Sequence, residues 1–113
     1  MSKLLVKYDI DQAIMIFSTE WVIDGHLILI DREDIHYILD HKWQVKYSHS
    51  TPYIIRKTTI GGEKKTLRLH RVIMNTPKGY DCHHRNKNTL DVRKTNLVNC
   101  TKQEHRIIQK TLF

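Results

Sequence analysis

The stretch DCHHRNKNTLDVRKTNLVNCTKQEH, residues 81–105, decides how the C-terminal third of this chain folds. It holds the vicinal pair His83-His84, Asn96 in a TNL turn, and His105 behind a helix-start signal. Leu97-Val98-Asn99-Cys100 reads as the second strand of a hairpin, and Tyr80-Asp81 as the start of the first. Thr101-Lys102-Gln103-Glu104 has the form of a capping box, with Thr101 as N-cap and Glu104 reaching back. It predicts a helix from about Lys102 to Lys110 that carries His105 in its first turn, facing the hairpin. Successive strand side chains point to opposite faces, so His83 and His84 cannot both reach one ion. One of them can bind a metal while its neighbour faces a substrate.

Upstream, Thr76-Pro77-Lys78-Gly79 is a loop of turn formers, Val72-Ile73-Met74 a short buried turn, and His70-Arg71 the handover from a sheet. That sheet is predicted from three alternating runs. Trp43, Val45 and Tyr47 alternate with Gln44 and Lys46, Tyr53 to Ile60 follows a Ser-His-Ser-Thr-Pro turn, and Leu67 and Leu69 alternate with Arg68 and His70 behind Gly61-Gly62. One face is expected to be apolar and the other to carry Lys46, Arg56, Arg68 and Lys64 or Lys65. Arg71 is a candidate phosphate contact because its planar fork suits bidentate recognition. Asp31 is expected to cap a helix with Ile35, Ile38 and Leu39 on one face. Trp21-Val22-Ile23 and His26 to Ile30 flank Asp24-Gly25, a strong hairpin signal. Leu4 to Val6 and Ala13 to Phe17 are strand-like, with no function assigned to them.

Composition narrows the partner class. The formal net charge is +7, and it is unevenly placed. Residues 1–41 carry three Lys/Arg against eight Asp/Glu, residues 42–75 eight against one, and residues 76–113 eight against three. Two thirds of the chain is therefore basic, which suits a polyanion and most simply nucleic acid. Cys82 and Cys100 are too few for a disulfide framework, and no secretory pattern opens the sequence, so the expected compartment is the reducing cytoplasm. The LILI run at Leu27 to Ile30 is far too short to cross a bilayer, and no membrane partner is expected.

LHR at Leu69-His70-Arg71, HHRNKNTLDVRKTNL from His83 to Leu97, and the closing TKQEH together resemble the HNH nuclease family, in particular the small phage and intron-associated homing endonucleases. DREDIHYILDHKW, the basic strands and LHR look like the AP2-like sheet some of these nucleases carry. The resemblance runs from roughly Ile30 to Ile108. It implies an α+β fold in three parts: 1–30, N-terminal strands of unclear role; 31–75, one helix on a basic antiparallel sheet that binds DNA; 76–113, a ββα-metal motif.

The resemblance further implies a DNA endonuclease encoded by a phage or mobile element and acting in a host cell. His84 matches the general base, His83 and His105 the ligands of a divalent metal, and Asn96 the residue that fixes the base-bearing loop. Hydrolysis of a phosphodiester needs an activated water and charge stabilisation, and an imidazole titrates near physiological pH. His83 stands where many relatives have Asp, and imidazole ligands suit Zn, Ni and Mn better than Mg, which argues against a strict Mg dependence; Mg or Mn is expected in use, with Zn able to occupy the site. Double-stranded DNA is the expected partner, and since one such site cuts one strand, a double-strand cut requires a homodimer or two events. In the loop between the strands, Asp91 is read as capping a short DVRKTNL helix, and Arg93 as its partner or a phosphate contact. Two alternatives stand beside the nuclease: an inactive HNH-fold DNA-binding protein, and a structural zinc knuckle built from Cys82, Cys100 and two histidines.

Overall fold

Two glycine-containing dipeptides set two of the hairpins, those joining Ser18–Ile23 to His26–Asp31 and Thr51–Ile60 to Glu63–Arg68. Asp24-Gly25 has φ of 49° and 77°, and Gly61-Gly62 has 59° and 81°, the left-handed backbone whose twist matches paired strands. The computed structural model describes residues 3–5 and 18–112, and of 3–5, 18, 19 and 108–112 the backbone alone. The first sheet has the order β1 (Lys3–Leu5), β2 (Ser18–Ile23), β3 (His26–Asp31) and is antiparallel throughout. The strand-like readings at Val6 and at 13–17 lie outside the described residues.

Asp31 does not cap a helix with its side chain. A 3-10 turn at Arg32–Asp34 follows it, then α1 (Ile35–Asp40), and neither start has a side-chain cap among the described residues. The Asp31 carboxylate instead accepts the backbone N–H of Lys94 at 2.9 Å. In α1, Ile38 is buried but Leu39 is 67% exposed, contrary to the expected shared face. Trp43 is buried beside this short helix, its indole N–H donating to the Tyr37 carbonyl at 2.7 Å.

The second sheet orders β4 (Gln44–Ser48), β5 (Thr51–Ile60) and β6 (Glu63–Arg68), again antiparallel. The strand pattern expected through Leu69 breaks off at Arg68, because Leu69-His70-Arg71 begins a helix, α2 (Leu69–Ile73). The last unit is β7 (Tyr80–His84), a loop containing a 3-10 turn at Lys94–Asn96, β8 (Leu97–Thr101) and α3 (Lys102–Leu112). The capping box forms as the sequence suggests. Thr101 N–H donates to Glu104 Oε1 at 2.8 Å, and Glu104 N–H to Thr101 Oγ1 at 3.1 Å.

The chain is thus α+β, with antiparallel sheets and short helices packed on one core. Trp21, Ile28, Ile30, Ile38, Trp43, Ile54, Leu69, Val92 and Leu97 belong to a single buried cluster, so all three stretches of the sequence contribute to it. No helix among the described residues is long and apolar enough to cross a membrane.

The loop between β7 and β8 is docked on the open edge of β3. Leu29 N–H donates to the Leu90 carbonyl at 3.0 Å, and Val92 N–H to the Leu29 carbonyl at 2.8 Å. Between those two bonds sits Asp91, with no solvent exposure. It does not cap a helix, since the turn that follows starts only at Lys94 with Arg93 at the cap position. Its carboxylate takes Arg93 Nε at 2.8 Å and Nη2 at 2.7 Å, and Asn86 Nδ2 at 2.9 Å. Removing one partner of such a pair leaves the other charge buried and uncompensated. Arg93→Ala is therefore expected to lower the unfolding free energy by about 3 kcal/mol in urea titrations. A loss below about 1 kcal/mol would show that the loop is held by its backbone bonds alone.

Candidate functional site

Strand β7 presents its two histidines to opposite sides, as alternation requires. His83 shares a face with Asp81 and meets α3, where His105 occupies the first turn. His83 Nδ1 lies 3.0 Å from His105 Nε2, with ring centroids 4.8 Å apart. The other nitrogen of His105, Nδ1, is 3.0 Å from Asp81 Oδ2. Asp81 is held well below the usual carboxylate range, chiefly by that hydrogen bond.

His84 turns the other way, towards α2. Its ring lies 4.6 Å from that of His70, centroid to centroid, and its Nε2 is buried with no hydrogen-bond partner among the described residues. Burial, then the neighbouring His83, pushes the His84 pKa down to about 4, although Asp91 pulls the other way. His70, at the handover from the sheet, is itself buried, and its pKa is pushed down to about 3 by burial, then by His84, Arg68 and Arg71. All four rings, His70, His83, His84 and His105, line one cleft of about 640 Å³. Both imidazoles of the 83–84 pair thus reach the same open space from opposite sides of their strand.

Asn96 closes the loop that leaves His84. Its Oδ1 accepts the Asn86 N–H at 2.9 Å, its Nδ2 donates to the Asp91 carbonyl at 3.0 Å, and its own carbonyl accepts the Arg85 N–H at 2.7 Å. Burial opposes the charge on Asp91, but the Arg93 bonds outweigh it, and the carboxyl stays below its ordinary range.

The basic side chains divide between two faces. Cross-strand partners share a face, and the pairs Lys46 with Tyr53, Ile55 with Arg68, Lys57 with Thr66 and Thr59 with Lys64 put Lys46, Lys57, Lys64 and Arg68 on the outer one. Arg56 pairs with Leu67 and lies on the core face, which corrects the expected placement; its guanidinium sits 5.7 Å from the Trp43 ring centroid. Lys65 also falls on that face, opposite Thr58, with its Nζ 3.1 Å from Glu63. Arg93 is committed to Asp91. Arg68 lies 4.6 Å over the Tyr53 ring, and both residues line the histidine cleft as well as a groove of about 250 Å³ on the outer face. Arg71 also lines the cleft, anchored by Nη1 to the Tyr80 carbonyl at 2.9 Å.

Two residues escaped the sequence reading. Lys57 was legible from its parity with Lys46 only once the register was known. Asp81 was legible from the strand period alone, being two residues before His83 and so on its face.

The divalent-metal fit rests on the paired nitrogens. A carboxylate accepts only, so Asp81 fixes the proton on His105 Nδ1 and leaves Nε2 with its lone pair beside His83 Nδ1. Two imidazole nitrogens at an open cleft suit a divalent transition ion better than Mg. The zinc knuckle is not formed, because Cys82 opposes Asn99 and Cys100 opposes Asp81, which places the two thiols on opposite faces of the hairpin. Asp31, Glu33 and Asp34 also bring ligand atoms within 4.8 Å of one another, but Lys94 Nζ already sits on Glu33 and Asp34.

The buried histidine pair has a consequence for stability. His70 and His84 take up protons in the unfolded chain near pH 6.5 but in the folded one only near 3 and 4. Stability is then lost as pH falls from about 6.5, where carboxylates are still ionised in both states. Between pH 7 and 5 the expected loss is about 2 kcal/mol per histidine, read from urea midpoints, and His70→Gln is expected to flatten the curve. An unchanged midpoint over that interval would contradict the burial of both rings.

No protein-family model, curated protein or solved structure matches this chain, so its function is read from this geometry and the sequence together.

Proposed function

We propose that this chain is a metal-dependent DNA endonuclease of the HNH kind, with β7, β8 and α3 as its ββα-metal unit and the preceding helix and sheet as an AP2-like DNA-binding part. One observation carries the proposal: His83 and His105 aim ring nitrogens at each other across 3.0 Å while His84, next in sequence, enters the same cleft from the other face of the strand. That is the separation of roles a hydrolytic site needs, ligand on one side and base on the other.

His83 and His105 would hold the ion, Mn or Mg in use and Zn also accepted. When bound, it supplies Lewis-acid stabilisation of charge on the phosphoryl and leaving oxygens. His84 takes a proton from the attacking water as the new P–O bond forms and the bond to the 3′ oxygen breaks. Its low pKa keeps the ring unprotonated at neutral pH. A phosphodiester entering the cleft brings negative charge beside it and raises its basicity. Asn96 does no chemistry; it keeps the turn after His84 in one shape, and displacing the base by ~1 Å can cost ~100-fold in rate. Arg68 and Arg71 line the cleft as phosphate contacts, and Lys46, Lys57 and Lys64 extend that charge along the outer face of the sheet. Arg56, Lys65 and Arg93 are left out of this track by their placement.

Two measurements test the proposal. In a plasmid-nicking assay with Mn2+ or Mg2+, His84→Ala is expected to lose at least about 100-fold in rate; equal nicking by both proteins removes His84 from its role, and no nicking by the wild type favours a DNA-binding protein without cleavage. In a salt titration of duplex binding, Arg68→Gln is expected to make the log-log slope shallower by about 0.9, the loss of one phosphate contact. An unaltered slope would take DNA off that end of the sheet.

A further inference from the structure

Asp81 takes no part in the reaction proposed above, yet its carboxylate meets the back of the His105 ring. It stands two residues before His83 on the same face of β7, so both side chains point at α3. Its Oδ2 is 3.0 Å from His105 Nδ1, while His105 Nε2 lies 3.0 Å from His83 Nδ1. The carboxylate therefore addresses the nitrogen that faces away from His83 and is not placed as a further ligand to an ion held between the two rings. Lys102 is its other charged neighbour, at 3.7 Å and with 74% of its side chain exposed, too loose to explain where the carboxylate points.

We propose that Asp81 is a positioning residue for the metal site. By accepting the Nδ1 proton of His105 it fixes the tautomer and the ring plane, so that the Nε2 lone pair stays turned towards His83. A neutral imidazole has one N–H and one acceptor nitrogen, and an acceptor on Nδ1 leaves Nε2 as the only ligand atom. A carboxylate behind a ligating histidine also raises its basicity, and losing such a partner typically costs about 10–100-fold in metal affinity. This inference rests on the metal-site reading above and concerns a residue to which that reading gives no ligand role.

Calorimetric titration of the full chain with Zn2+ separates the two. Wild type is expected to bind one ion per chain, His83→Ala to lose that binding, and Asp81→Ala to weaken it about 10–100-fold. Asp81→Asn keeps an acceptor oxygen without the charge and is expected to recover most of the affinity; it also serves if the alanine variant does not fold. Nitrogen NMR of the imidazoles, without metal, is expected to find His105 with its proton on Nδ1 in wild type and in Asp81→Asn, and as a tautomer mixture in Asp81→Ala. If Asp81→Ala binds Zn2+ as wild type does and keeps the Nδ1–H tautomer while His83→Ala loses the ion, Asp81 has no positioning role and the metal site stands. If wild type binds no Zn2+, the site and the role of Asp81 fall together.

Discussion

The buried carboxylate of Asp91 is the constraint on which the candidate site depends. The segment between β7 and β8 has little regular structure of its own, and a loop of that kind is held only by what it is tied to. Here the ties converge on one residue. Its neighbours Leu90 and Val92 exchange backbone bonds with Leu29 on the edge of β3, and its side chain gathers Arg93 and Asn86. Asn96 bonds its carbonyl in turn. The first sheet thus fixes the turn after His84, although the two are more than fifty residues apart in sequence. Lys94 adds a second tie, with its backbone on Asp31 and its ammonium on Glu33 and Asp34, so the acidic N-terminal third and the basic C-terminal third are joined by charge as well as by core.

How far the sequence foretold this depended on the range of each interaction. The Asp-Gly and Gly-Gly hairpins and the Thr101–Glu104 capping box are settled within a few residues, and they form where the sequence places them. Acidic residues misled for the same reason. Asp31 and Asp91 look like caps to a local rule, whereas the Asp31 carboxylate is claimed by Lys94, more than sixty positions away. The faces of the second sheet were ambiguous because Ile54 and Ile55 are adjacent and both buried, so apolar pattern alone did not fix the parity of β5. Arg56 was misplaced as a result and Lys57 overlooked, and of the alternatives Lys64 and Lys65 it is Lys64 that takes the outer face. That one histidine of the 83–84 pair would meet His105 was expected from the hairpin-helix pattern, and that it would be His83 from the resemblance; the support behind His105 from Asp81 was not.

In the proposed nuclease, the sheet and the site are continuous parts of one surface. Arg68 and Tyr53 belong both to the groove on the sheet and to the wall of the histidine cleft, so a phosphate backbone lying along the outer face would arrive at His84 without leaving protein cations. The strand period does the remaining work. Because consecutive side chains of β7 diverge, a vicinal pair of histidines can serve an ion and a water separately, each with its own neighbour: His105 for the first, His70 for the second.

The most direct measurement is a crystal structure of the chain grown with Mn2+ and duplex DNA, with anomalous scattering used to locate the ion. The account requires the manganese to be bonded to His83 Nδ1 and His105 Nε2, with a phosphate of the duplex beside it and the His84 ring facing that phosphate. Manganese confined to the Asp31, Glu33 and Asp34 cluster, or a duplex seated away from the histidine cleft, would contradict it.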